Sequence, residues 1–75
     1  MADAAQTLLA MAKDRPDPKM VTDWIVAYLG KKPLDARRAA LTSLAAEFSK
    51  PRPPTETRAA GLILRVVQKL IATIR

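Results

Sequence analysis

The sequence has neither cysteine nor histidine among its 75 residues. Without cysteine the chain cannot form a disulfide, and without either residue a structural zinc site lacks its usual ligands. The same absences remove the commonest general base of enzymes and their most nucleophilic side chain. We therefore expect no metal, no cofactor and no catalytic activity.

Long apolar runs are also missing. No uncharged stretch approaches the roughly 20 apolar residues that a membrane-spanning helix needs. The first residues, Met1 to Gln6, have no basic segment of the kind that opens a secretion signal. These two features favour a cytoplasmic protein.

The length of the chain sets a limit on its stability. A core built from 75 residues rarely supplies more than about 3 to 5 kcal/mol, so small domains depend on close helix packing, self-association or a partner. With 49% hydrophobic and 27% charged residues, the composition is that of a globular chain rather than a disordered one. We expect one folded domain covering residues 1–75.

Proline and glycine divide the sequence into segments with helical periodicity. The pattern predicts an all-α, four-helix domain with a short first helix, a proline-rich connector over residues 50–54 and a long last helix. The helices are expected at residues 3–14, 18–29, 34–49 and 56–74. Predicted caps are Asp3 with Gln6, Asp17 followed by Pro18, Gly30, and Thr55.

Each predicted helix has an apolar face. The inner faces are expected at Ala4, Ala5, Leu8, Leu9, Met11 and Ala12 in the first helix, Val21, Trp24, Ile25, Tyr28 and Leu29 in the second, and Leu34, Leu41, Leu44, Ala45 and Phe48 in the third. The apolar arc of the last helix is about 160° wide at 100° per residue, more than the usual surface stripe. This helix is expected either at the centre of the fold or against another copy.

Acidic residues cluster only at Asp14, Asp17 and Asp23, whose spacing does not fit a calcium-binding loop. We interpret them as helix caps and a solvated turn. Trp24 and Tyr28 lie four residues apart and have the geometry to stack bases, but a core this small needs both rings.

The net positive charge is confined to the second half of the chain. Residues 1–35 contain five basic and five acidic residues, whereas residues 36–75 contain eight and two, which accounts for the net charge of +6. The predicted contact residues for an acidic partner are Lys50, Arg52, Arg58, Arg65 and Lys69, with Lys31, Lys32 and Arg38 as secondary contacts. Arg37 lies in line with apolar residues and is expected to be structural, either reaching the rim or pairing with an aspartate.

Two functions fit these features. The first is nucleic-acid binding through phosphates, where about four to six contacts give a slope of roughly −4 to −5 in log K against log salt. The second is a protein-interaction module, with a homodimer as one form, that uses the small-residue side of the third helix or an apolar surface on the last helix at Ile63, Val67, Leu70 and Ile74. Association of the last helix with a membrane surface is a third, weaker hypothesis.

Overall fold

The protein is described by a computed structural model that covers residues 4–74 and contains four α-helices. They are α1 (Ala4–Asp14), α2 (Pro18–Leu29), α3 (Leu34–Phe48) and α4 (Pro54–Thr73). The prediction of an all-α domain with a long last helix is confirmed. No helix within this part of the chain is long and apolar enough to cross a membrane.

The boundaries of α2 follow from its capping residues. Asp17 Oδ1 accepts a hydrogen bond of 3.0 Å from the backbone N–H of Lys19, and Pro18 occupies the first turn. Gly30 follows the helix, as predicted, but with a φ of −57° it keeps a right-handed conformation. The predicted cap at Asp3 lies outside the described residues.

Helix α4 begins two residues before the predicted start. Pro53 is extended, with φ −57° and ψ 150°, and Pro54 is the first helical residue. Proline is tolerated there because the N–H that it lacks would have no partner within the helix. The expected N-cap at Thr55 is therefore wrong, and Thr55 lies inside the first turn.

Helix α4 is the centre of the domain and contacts α1, α2 and α3. Ile63 and Val67 have no exposed surface and pack with buried residues of the other three helices. The fully buried large side chains from those helices are Leu8, Val21, Ile25 and Leu41. The last helix is expected either at the centre of the fold or against another copy, and the structure shows it at the centre.

This arrangement corrects the predicted oligomer interface. Ile63 and Val67 are part of the core of the chain itself, so a partner cannot reach them. Leu70 and Ile74, the other two predicted interface residues, are partly buried against the same core.

Two predicted core residues are exposed. Tyr28 is 41% exposed because it stacks on Trp24, with ring centroids 5.3 Å apart, instead of entering the core. Leu34 is 49% exposed at the first position of α3. One turn later Arg37 turns its side chain back toward the loop, so the fully buried part of α3 starts at Leu41.

A cluster around Arg52 joins the end of α3 to the start of α4. Arg52 Nη1 donates to Glu56 Oε1 at 3.1 Å, and Nη2 donates to the backbone oxygen of Glu47 at 3.2 Å and to its Oε1 at 3.5 Å. The guanidinium also lies 4.9 Å from the ring centroid of Phe48. We call these four residues the Arg52 clamp, because they hold the proline connector between the two helices.

Shortening Ile63 tests the central position of α4. Ile63→Val is expected to lower the free energy of unfolding by about 0.5 to 1.5 kcal/mol and Ile63→Ala by about 2 to 5 kcal/mol. Since the whole domain is worth only about 3 to 5 kcal/mol, the alanine variant should be largely unfolded at 25 °C. Urea unfolding followed by circular dichroism measures both, and equal, small losses in the two variants would contradict this packing.

The Arg52 clamp predicts that arginine is required at position 52, whereas lysine can replace it at the exposed position 65. Arg52→Lys keeps the charge but loses the planar fork and is expected to cost about 1 to 3 kcal/mol, or several degrees in Tm. Arg65→Lys, at an exposed position, should change stability by no more than about 0.5 kcal/mol. Thermal unfolding of the two variants gives the comparison, and equal Tm values would contradict a structural role for Arg52.

Candidate nucleic-acid interface

Three cations form a row on the solvent face of α4. Arg58, Arg65 and Lys69 are exposed, and at 100° per residue they lie within about 40° of one another around the helix axis. Their positions follow from the core: Ile63 and Val67 are buried on the other side of the helix. Over eleven residues at 1.5 Å each, the row is about 16 Å long.

The row lines a groove between α4 and the turn that joins α1 to α2. Pro16 and Pro18 form one wall, and α4 from Thr57 to Lys69 forms the other. The groove has a volume of about 750 Å³. It is open above Gly61, where an added Cβ would meet nothing within 4 Å. The three cations thus border a space that another molecule can enter.

Within residues 4–74, no hydrogen bond or ion pair engages the side chains of Arg58, Arg65 and Lys69. The other two predicted contact residues are engaged. Lys50 Nζ lies 3.1 Å from Glu47 Oε2, and the Arg52 side chain is only 15% exposed within its clamp. The structure therefore separates the five predicted residues into three available cations and two that already have carboxylate partners.

The predicted secondary contacts lie elsewhere and have mixed roles. Arg38 Nη2 donates to the backbone oxygen of Ile74 at 3.2 Å, where a cation also suits the negative end of the α4 dipole. Lys32 Nζ is 5.2 Å from the Tyr28 ring centroid, and Lys31 is exposed in the same turn. None of the three lines the groove.

Arg37 has the structural role that its position predicted. Its Nε donates to the backbone oxygen of Lys32 at 2.8 Å. The acceptor is a loop carbonyl and not an aspartate, so the second of the two predicted roles is wrong. This bond steadies the turn between α2 and α3.

The predicted acidic cluster does not assemble into a metal site. Asp17 caps α2, and Asp23 Oδ2 lies 3.3 Å from Lys19 Nζ. No group of three or more acidic side chains in the described part of the chain is arranged to hold a metal ion. Asp14 and Asp17 flank Pro16 in the sequence, and neither of them lines the groove.

The sequence does not predict the groove. Pro16 and Pro18 indicate helix boundaries, and nothing in their spacing indicates that they lie opposite α4. Only the packing of α1 and α2 on the central helix brings them there.

Comparison of the chain with models of protein families, with curated proteins and with solved structures found no match.

Proposed function

We propose that this chain is a non-enzymatic cytoplasmic binding protein that contacts nucleic-acid phosphates through Arg58, Arg65 and Lys69, as an accessory or regulatory factor. The observation that carries the proposal is the convergence of three unpaired cations on one open groove. Cations placed in this way attract phosphate groups and release the counterions that surround them. The surplus of positive charge on the whole chain, +6, favours the same class of partner.

The chemistry of the groove supports backbone binding without base recognition. Base edges are read mainly by arginine, lysine, asparagine and glutamine side chains held in fixed geometry. Neither asparagine nor glutamine is among the described residues that line the groove. No hydrogen bond or ion pair within residues 4–74 fixes the geometry of its three cations. Three phosphate contacts reduce the expected salt slope on duplex DNA to about −2.7, from the roughly −4 to −5 expected for about four to six contacts.

Reversing charge inside the groove tests the proposal. Arg65→Glu with Lys69→Glu is expected to weaken binding to a 20-base-pair duplex about tenfold or more at 50 mM salt, because two of three contacts become repulsive. Fluorescence anisotropy of a labelled duplex measures the affinity, and circular dichroism checks that the variant is folded.

Lys31→Glu with Lys32→Glu is the matched control, since it changes the net charge by the same amount outside the groove. This control should bind within about twofold of the unmodified protein. An equal loss in both double variants would show that net charge, and not the groove, determines binding.

A second candidate is self-association through another surface. A cleft of about 380 Å³ lies beside the exposed Tyr28 and is lined by small side chains of α1 and α3, among them Ala5, Ala40 and Ser43. The cleft lies outside the apolar arc of α4. That arc is mostly buried, so it offers little exposed apolar surface to a partner chain or to a membrane.

This alternative predicts a dimer of the 8.2 kDa chain whose light-scattering mass falls on dilution. Ser43→Arg, which places a charged side chain in the cleft, is expected to leave only monomer. A monomeric mass for the unmodified protein at all concentrations would contradict self-association and would leave the phosphate-binding proposal untouched.

A further inference from the structure

The three groove cations have unequal and fixed intervals along α4. Arg58 and Arg65 are seven residues apart, or about 10.5 Å along the axis, while Arg65 and Lys69 are four residues or about 6 Å apart. Contacts with the other three helices hold α4 in place, so the backbone positions of these residues are set before any ligand arrives.

The interval between Arg58 and Arg65 is close to the distance between the two strands across a major groove of DNA. The major groove of B-form DNA is about 12 Å wide, close to the interval between Arg58 and Arg65. We infer that α4 lies across the mouth of a major groove, with Arg58 on the phosphates of one strand and Arg65 with Lys69 on those of the other. This inference rests on the proposed function and specifies its substrate class as duplex DNA bound without regard to sequence.

Single-stranded nucleic acid is a poorer match. Proteins that bind it stack bases on aromatic side chains, which contributes about 1 to 3 kcal/mol per base. The chain has three aromatic residues, and none lines the groove. Phe48 is buried beside the Arg52 guanidinium, and Trp24 and Tyr28 stack on each other along α2.

Duplex RNA fits less well than DNA. Proteins recognise A-form RNA through its 2′-hydroxyl groups and phosphates across the RNA minor groove. Among the described residues, Thr57 is the one uncharged polar side chain that lines the groove of the protein. The groove also has apolar surface, from Pro16 and Pro18 on one wall and Leu62 on the other, so an acidic peptide is included as an outcome of the test.

Salt dependence distinguishes contact with two strands from contact with one. For the unmodified protein we expect a slope in log K against log salt of about −2.7 on a 20-base-pair DNA duplex, from three contacts. On the single strand of the same sequence we expect about −1.4, from Arg65 and Lys69 alone. The measurement is anisotropy between 20 and 200 mM salt, with duplex RNA of the same sequence as a third probe.

Two neutral substitutions assign the contacts to strands. Arg58→Gln is expected to reduce the magnitude of the duplex slope by about 0.9 and to leave the single-strand slope unchanged. Arg65→Gln is expected to reduce the magnitude of both slopes. Both side chains are exposed, so the variants should remain folded, which circular dichroism verifies.

The outcomes separate the inference from the function on which it rests. Equal or tighter binding of single-stranded DNA or duplex RNA would overturn the inference and keep phosphate binding. An Arg58→Gln variant that changes the duplex slope and the single-strand slope equally would also overturn the inference and keep phosphate binding. If the protein binds none of the three nucleic acids and binds polyglutamate instead, the proposed function itself is overturned.

Discussion

The burial of one side of α4 is the constraint on which the rest of this domain depends. Ile63 and Val67 are completely enclosed, and α1, α2 and α3 contact the helix that carries them. Since the residues of a helix are fixed in angle relative to one another, enclosing this side places Arg58, Arg65 and Lys69 in solvent on the other. The core therefore determines the position of the candidate binding surface as well as the stability of the fold.

Six of the thirteen basic residues form two groups with different physical roles. Arg37, Arg38 and Arg52 donate to backbone carbonyls at a loop or a helix end, and Arg52 also contacts two carboxylates. Arginine suits these positions because its planar, forked donors can satisfy several acceptors at once. The cations of the groove have no such acceptors among the described residues, so they are available to a ligand.

Much of the fold followed from local signals in the sequence. Asp17 with Pro18 marked the start of α2, and the wide apolar arc of the last helix indicated its central position. The errors arose where tertiary contacts decide the outcome. Tyr28 has the helical spacing of a core residue yet stacks outward on Trp24. Likewise Arg52 looks like a free cation in a connector, and only the approach of Glu47 and Glu56 shows that it is held.

The candidate site was harder to predict because it depends on an arrangement that no segment encodes alone. The row of cations is visible in the periodicity of α4, but its opposite wall comes from Pro16 and Pro18, some forty residues earlier. The row also has an electrostatic consequence. Like charges four residues apart on a helix, such as those of Arg65 and Lys69, destabilise it by about 0.2 to 0.5 kcal/mol, and salt reduces this further. A polyanion bound as proposed would remove that repulsion and by mass action stabilise the folded state. For a domain with so small a core, the proposed ligand binding would therefore be coupled to stability through the same three side chains.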